Sequence, residues 1–244
     1  YELWQGDNKF YCSGRVIAGP SVQPAVQIGV FMVVVGILFL AVSAPYLDDE
    51  IDIPVITPLF TLLLAWALFE LGCTALSDPG IIPRPTSDEE LNLRPPRSQA
   101  VVASGEHVEL TYCQICHVFR PPRAEHCSAC NNCVLQFDHH CPYVGNCIGQ
   151  RNYPHFFRFL LLTTLLCLSV VAGGIAHLVL LGEEEKDSGG SRGFGHAMEH
   201  GVTALIAAVL AFGSLWCAAA MAGYHVYISC FGETTYEQML ETFS

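Results

Sequence analysis

Residues able to do chemistry are concentrated between Cys113 and Phe156. The run reads Cys113-Gln-Ile-Cys116, then His126-Cys127-Ser-Ala-Cys130-Asn-Asn-Cys133, then Asp138-His139-His140-Cys141, and closes on Cys147. Seven of the chain's 12 cysteines fall between positions 113 and 147. Cys-x-x-Cys steps at this density are zinc-ligand spacing, because two thiolates three residues apart can grip one metal from a tight turn. Two closed tetrahedral zinc sites need eight ligands. The segment offers ten candidates, the seven cysteines together with His126, His139 and His140. Cys141 and His139 are the natural surplus, since they stand together in Asp-His-His-Cys. A cysteine beside a histidine and an aspartate, held by a metal scaffold, has the makings of a nucleophile, its base and an orienting carboxylate. Spacing alone also allows all ten to be structural, or Cys141 to be a zinc ligand.

The elements that must position this segment are membrane helices. The chain has 244 residues, 52% of them apolar and 14% charged, with mean hydropathy +0.39. A soluble domain carries about 25% charged residues. The apolar excess sits in four blocks: Ala25 to Ala44, Val55 to Leu76, Phe156 to Leu181 and Val202 to Ile228. About 20 residues of helix cross the hydrocarbon core, and only helices satisfy every backbone group within lipid without closing a barrel. The expected fold is therefore an α-helical integral membrane protein with four transmembrane helices. A two-zinc cysteine-rich domain of short β-hairpins lies between helices 2 and 3. The division is 1–24, N-terminal segment; 25–76, helices 1 and 2; 77–154, cysteine-rich domain; 155–230, helices 3 and 4; and 231–244, C-terminal segment. Prolines 79, 83, 85, 95 and 96 keep the start of the polar segment from being helical. Gln99 to Tyr112 alternates loosely and reads as a short strand. Pro45 to Ile53 and Gly182 to Gly201 read as acidic loops with solvated faces, the second one mobile. The net charge of −12 argues against a nucleic-acid partner. The chain opens on Tyr1 rather than Met, which points to a natural tail ahead of it, and shows no cleavable signal peptide.

The full string, Cys113-x2-Cys116-x9-His126-Cys127-x2-Cys130-x2-Cys133-x4-Asp138-His139-His140-Cys141-x5-Cys147-x4-Asn152-x3-Phe156, resembles the cysteine-rich domain of the DHHC protein S-acyltransferases, the palmitoyltransferases. Asp78-Pro79-Gly80 and Thr234-Thr235-Tyr236-Glu237 match that family's two flanking motifs. The resemblance implies Cys113, Cys116, His126 and Cys133 as ligands of one structural Zn2+. It implies Cys127, Cys130, His140 and Cys147 for the other, with Cys141, His139 and Asp138 left as the catalytic group. The implied activity is ping-pong transfer of a palmitoyl-type acyl group from acyl-CoA, through a Cys141 thioester, to membrane-proximal cysteines of other proteins. Tyr143 departs from the family's usual tryptophan, so acyl-chain fit rather than activity is expected to change. The N-terminal Tyr-Glu-x-Trp, Phe-x-Cys and Gly-Arg pattern resembles a subgroup that acylates Ras-like proteins, some of whose members need an accessory subunit. A non-catalytic zinc-stabilised membrane scaffold is the alternative reading, which the intact Asp-His-His-Cys opposes. A RING-type ubiquitin ligase fits the ligand spacing poorly.

Several single residues carry further expectations. Arg120 and Arg123, flanking Pro121-Pro122, are candidates to bind the phosphates of CoA, since Arg pairs phosphate as a rigid fork; pairing with Glu125 or lipid headgroups is the competing role. Of 11 Lys and Arg, Lys9, Arg15, Arg84, Arg94, Arg97, Arg120, Arg123, Arg151 and Arg158 fall on one side of the membrane. Positive residues stay cytoplasmic. The cysteine-rich segment and both termini are thus expected in the reducing cytosol, which favours metal-bound or reactive thiols over disulfides. The expected residence is an endomembrane, the Golgi or endoplasmic reticulum. Glu70 must face protein or the interface. Thr-Thr-x-Glu also has the form of a capping box. His177 and His225 are expected to snorkel or hydrogen-bond. Gly173 and Gly174 allow close helix approach or a wider cavity. Cys73, Cys167 and Cys217 read as packing residues, Cys12 as an ordinary thiol, Cys230 as a juxtamembrane thiol open to acylation, and Phe156, Phe157 and Phe159 as lipid contact and helix packing.

Overall fold

The computed structural model describes residues 4–85, 96–103, 106–187, 189 and 193–243. Tyr1 and Glu2 of the N-terminal pattern, Pro95, Arg94 and Arg192 lie outside the described residues. In chain order, β1 (Lys9–Tyr11) and β2 (Val16–Ala18) form a hairpin, and α1 (Gln23–Glu50) and α2 (Ile56–Leu76) follow. Strands β3 (Ser98–Ala103), β4 (Glu106–Cys113) and β5 (Val118–Arg120) make an antiparallel sheet in the order β3-β4-β5. Two further hairpins pair β6 (Glu125–Cys127) with β7 (Asn132–Val134) and β8 (His139–Cys141) with β9 (Asn146–Ile148). The chain continues as α3 (Tyr153–Asp187), α4 (Gly193–His200), α5 (Val202–Phe231) and α6 (Thr235–Phe243). It divides into two units. One comprises Tyr1–Val26, Gly72–Phe156 and Tyr227–Ser244, and the other Gln27–Leu71 and Phe157–Val226.

The helical unit contains the bulk of α1, α2, α3 and α5, the helices among the described residues long and apolar enough to cross a membrane. The protein is an integral membrane protein with four such helices. Helix α1 does not stop before Pro45 as expected but runs on to Glu50. The turn Phe39–Ser43 is a π-helix in which the Ala44 amide bonds to the Phe39 carbonyl, five residues back. This wider turn accommodates a proline that lacks an N–H and would clash with a tighter ladder. The expected solvated acidic loop is also corrected at Asp48, which is buried. Its carboxylate accepts the backbone N–H groups of Val55, Ile56 and Thr57 at 2.8, 2.6 and 3.0 Å, and so satisfies the otherwise open amides at the start of α2.

Inside this unit the helices meet at small and polar residues, as packing within lipid requires. A Cβ on Gly173 would stand 2.7 Å from the Phe39 ring, and one on Gly174 2.9 Å from Ala208 Cβ, so both glycines serve close approach. Glu70, 3% exposed, accepts from Arg158 Nε at 2.8 Å and from Trp66 Nε1 at 3.1 Å. Burial beside a cation and a donor is how a carboxylate persists in a membrane helix. His177 is buried rather than snorkelling; its ring stacks on Tyr46 at 4.2 Å and hydrogen-bonds Ser43 Oγ at 3.1 Å. His225 is also buried. Cys167 is packed as expected, Cys73 is half-buried, and Cys217 is exposed on α5 instead. Phe159 is buried within the protein, the helix-packing part of its expected role. Helix α3 continues beyond Leu181 to Asp187, because Glu and Lys extend a helix as readily as leucine does. The described part of the expected mobile loop is therefore largely the last turns of α3 and all of α4.

In the other unit the N-terminal segment is an ordered hairpin laid over the cysteine-rich strands. The Asp7 amide donates to the Cys130 carbonyl at 2.9 Å, and Trp4 and Ile17 pack on a core of Ile81, Val134 and Phe137. Gly145, at φ +68°, lies directly under the Ser21 carbonyl, and a Cβ there would stand 1.6 Å from that oxygen. Only glycine combines that backbone conformation with such an approach. The single strand expected over Gln99 to Tyr112 is a hairpin, with β3 and β4 in register from Ser98↔Thr111 to Ala103↔Glu106. Ser104-Gly105, a turn signal within the loose alternation, lies outside the described residues.

Candidate active site and metal centres

Three hairpins build the site, and they repeat in sequence. Cys113, Cys127 and Cys141 each end a strand, spaced by the same interval. Three residues on come Cys116, Cys130 and Val144, and then a residue in the left-handed conformation: His117, Asn131 or Gly145. One residue before each strand-ending cysteine stand Tyr112, His126 and His140. Across the strands from these are Phe119, Cys133 and Cys147. In the first two turns the second cysteine's amide donates to the first cysteine's sulfur at 3.4 Å, which draws both sulfurs to one side. Each metal cluster takes its turn cysteines from one hairpin and its His/Cys strand pair from the next. The third hairpin has Val144 where the second turn cysteine would be, and no fourth hairpin follows among the described residues. Cys141 is therefore the one strand-ending cysteine without a cluster. This interval was the readable sequence signal that ligand counting overlooked.

Both clusters fit a tetrahedral cation. The ligand atoms of Cys113, Cys116, His126 and Cys133 all lie within 4.8 Å of one another, as do those of Cys127, Cys130, His140 and Cys147. His126 Nδ1 is 3.7, 3.3 and 3.8 Å from the sulfurs of Cys113, Cys116 and Cys133. His140 Nδ1 is 3.4 and 3.7 Å from those of Cys130 and Cys147, whose sulfurs are 3.3 Å apart. Zn–S and Zn–N bonds of about 2.3 and 2.0–2.1 Å place tetrahedral ligands roughly 3.6 Å apart. The thiols also set one another's charge. A hydrogen bond with Cys133 holds Cys116 down to about 5, while the same contact and burial push Cys133 far up. Hydrogen bonding with Cys130 lowers Cys127, and the reciprocal contact pushes Cys130 up to about 12. Crowded buried sulfurs cannot all ionise alone, and a divalent cation that neutralises them removes the conflict. Two Cys3His donor sets of this geometry fit two structural Zn2+ ions.

Asp138, His139 and Cys141 form the remaining cluster. Asp138 is 2% exposed and Cys141 5%. His139 Nδ1 lies 2.6 Å from Asp138 Oδ2 and its ring also hydrogen-bonds the Cys141 side chain. Burial alone would lower the His139 value, but the Asp138 and Cys141 contacts override it and raise it to about 9. Burial favours the neutral form of Asp138, yet His139 and Thr235 outweigh it and hold the carboxyl below its usual range. The ring edge of Phe156, buried, meets the His139 ring at 5.3 Å and fixes its plane.

Thr235 is the site residue that ligand and nucleophile counting missed. Its amide donates to Asp138 Oδ1 and its hydroxyl to Asp138 Oδ2, both at 2.9 Å. The expected capping box is present: the Thr234 amide donates to Glu237 Oε2 at 2.8 Å, and the Glu237 amide to Thr234 Oγ1 at 3.2 Å. Glu237 in turn binds Arg123, whose Nε and Nη2 stand 2.6 and 2.7 Å from its two oxygens. Arg123 thus braces α6 against the hairpins, and its other contact is the Gly232 carbonyl. Arg120 pairs with Glu125. Arg120 thus takes the competing partner that its neighbourhood offered, whereas Arg123 takes Glu237, which the sequence reading did not offer. Asp78 closes a turn by accepting from the Gly80 and Ile81 amides, each at 2.8 Å, and pairs with Arg151. Buried Asn146 and Asn152 donate to the carbonyls of Ala75, Ser77 and Thr74, which ties the third hairpin to the end of α2. Tyr143, in the turn after Cys141, is 71% exposed.

Apolar helices of membrane-spanning length, two Cys3His zinc centres and an Asp-His pair beside a cysteine that joins neither centre define a class of zinc-stabilised membrane proteins. Within that class, the family model of the DHHC palmitoyltransferases matches residues 106–242, and the chain belongs to that family. It is 36% identical over 266 residues to palmitoyltransferase ZDHHC14 of Homo sapiens, covering 100% of this chain and 52% of that protein. It is 33% identical over 262 residues to protein S-acyltransferase 8 of Arabidopsis thaliana, covering 98% and 62%. With palmitoyltransferase ZDHHC9 of Danio rerio it shares 36% identity over 266 residues, covering 100% and 65%. The chain spans about half to two thirds of the length of these relatives.

Proposed function

We propose that this chain is a protein S-acyltransferase that moves a palmitoyl-type acyl group from acyl-CoA to cysteines of other proteins, with Cys141 as nucleophile. The observation that carries the reading is the line Thr235–Asp138–His139–Cys141, which ends on the strand-ending cysteine that joins neither cluster. Cys113, Cys116, His126 and Cys133 hold one Zn2+, and Cys127, Cys130, His140 and Cys147 the other. When bound, the metals supply structure, since each set is closed.

His139 accepts the Cys141 proton, and the buried Asp138 carboxylate stabilises the resulting imidazolium. The Cys141 sulfur attacks the acyl carbonyl of the CoA thioester. The bond from that carbonyl to the CoA sulfur breaks, and CoA leaves with the proton from His139. The acyl group then rests on Cys141 as a thioester. A substrate cysteine gives its proton to His139 and attacks that carbonyl; the bond from the carbonyl to the Cys141 sulfur breaks, and Cys141 takes the proton from His139 and is restored as the thiol. Arg120 is proposed as a ligand of the CoA phosphates through exchange from Glu125. Arg123, already held by Glu237 and Gly232, is a weaker candidate for that role, and its brace to α6 is favoured.

The basic residues flanking the zinc domain support a cytosolic active site, in a Golgi or endoplasmic reticulum membrane. The N-terminal Trp4 pattern supports Ras-like substrates and an accessory subunit as partners. The test uses purified protein with labelled palmitoyl-CoA. Wild type takes up label as a hydroxylamine-sensitive thioester and Cys141→Ser does not. Labelling of Cys141→Ser at the wild-type rate would overturn the mechanism.

A further inference from the structure

We propose that Val144 is the residue that keeps metal off the Cys141 sulfur: it fills the second ligand position of a third zinc knuckle with a side chain that has no donor atom. The proposal rests on the reading of Cys141 as nucleophile, because a sulfur held by zinc in a structural knuckle is not free to attack. Residues 114–117, 128–131 and 142–145 are four-residue turns, each closing an antiparallel pair with three residues in register on either side. Each turn ends on a residue of positive φ, His117 at 56°, Asn131 at 50° and Gly145 at 68°. One residue earlier stand Cys116, Cys130 and Val144, which are buried alike at 0%, 1% and 1% exposure. The third turn therefore keeps the backbone path and the buried slot of a knuckle, and changes only what fills the slot.

The donor count shows what that change does. Among the described residues, Cys141 belongs to no set whose ligand atoms lie close enough to share an ion. His139, whose ring hydrogen-bonds the Cys141 side chain, is a donor already at hand, with its Nδ1 turned to Asp138. One thiol and one imidazole fall short of the three protein ligands that an open zinc site needs, and a second thiol at position 144 would complete them. Cysteine and valine differ little in size, and a buried cysteine packs as a small hydrophobe. The difference between a metal knuckle and a free nucleophile thus comes down to one donor atom in one buried slot. The zinc that the two Cys3His centres require would otherwise be open to the nucleophile as well. Val144 is a positioning residue in this sense, acting through Cys141.

The test uses the whole chain in detergent with a reductant, dialysed against buffered micromolar free Zn2+. Metal is counted by mass spectrometry, and the state of Cys141 is read from its rate of alkylation by iodoacetamide; neither readout needs acyl-CoA. Val144→Cys should retain one equivalent more zinc than wild type, and Zn2+ should protect its Cys141 from alkylation. A valine present only for packing predicts no such gain, so equal zinc content with Cys141 unprotected overturns the proposal. Wild type gives a second readout that does not depend on the variant's fold. With both Cys3His centres loaded, its Cys141 should be alkylated at the same rate with and without further Zn2+, and zinc protection there overturns the proposal whatever the variant does. Acyl-enzyme formation by Val144→Cys should fall as the extra zinc binds. Extra zinc with undiminished acylation would stand against the nucleophile reading and leave the metal exclusion in place.

Discussion

Replacing Thr235 by valine probes the line of contacts behind the nucleophile with little change of shape. The substitution removes one donor, the hydroxyl 2.9 Å from Asp138 Oδ2, and leaves the backbone amide on Oδ1 in place. Asp138 is 2% exposed, so water does not readily replace the lost donor. A hydrogen bond to a charged group contributes about 1.5–3 kcal/mol. If that stabilisation is felt by the His139 imidazolium in the transition state, acyl-enzyme formation slows tenfold to about a hundredfold, at 1.36 kcal/mol per factor of ten. Single-turnover transfer of labelled palmitoyl-CoA to Cys141 measures this, with zinc content as the control for the hairpins. The His139 value of about 9 depends in part on the Asp138 charge. A carboxylate that has lost a donor accepts a proton more readily, and the variant's activity should fail at a higher pH on the acid side. A rate within twofold of wild type, with both zincs present and an unchanged pH profile, would refute the positioning role.

Three other outcomes are expected. Asp48→Ala strips the cap from α2 and should cost at least about 1–2 kcal/mol, read as a lower midpoint of thermal unfolding in detergent; an unchanged midpoint would remove Asp48 from the packing account. Gly145→Ala sets a Cβ against the Ser21 carbonyl and should release the N-terminal hairpin to trypsin at Lys9 and Arg15, whereas Gly213→Ala, with open space around it, should leave cleavage unaltered. Removing zinc with a chelator should abolish acylation and unravel the hairpins while the membrane helices keep their circular dichroism, since structural zinc supplies about 10–16 kcal/mol to the small domains that bind it; full activity in zinc-free protein would refute the structural role.

Much of this protein was written in local pattern. Four apolar runs announced four membrane helices, because each run is long enough by itself to satisfy its backbone within lipid. The ligand spacing announced metal knuckles, because a turn that brings two sulfurs to one ion is a local geometry, but it left open whether Cys141 and His139 were surplus or ligands. The capping box at Thr234 was likewise legible, since its partners are three residues apart. What sequence left open are contacts made across the chain by groups with no distinctive spacing. Asp48 read as a solvated loop residue until the start of α2 was seen to lie on it. Thr235 read as a motif letter, 97 residues from the carboxylate it orients. For Arg123 the sequence offered CoA phosphates, Glu125 or a headgroup, and not Glu237, 114 residues away, whose carboxylate fills its fork. Local energetics fix helices, turns and metal knuckles, whereas the partner of a buried charge depends on which distant donor the folded chain delivers, and only the tertiary structure decides that.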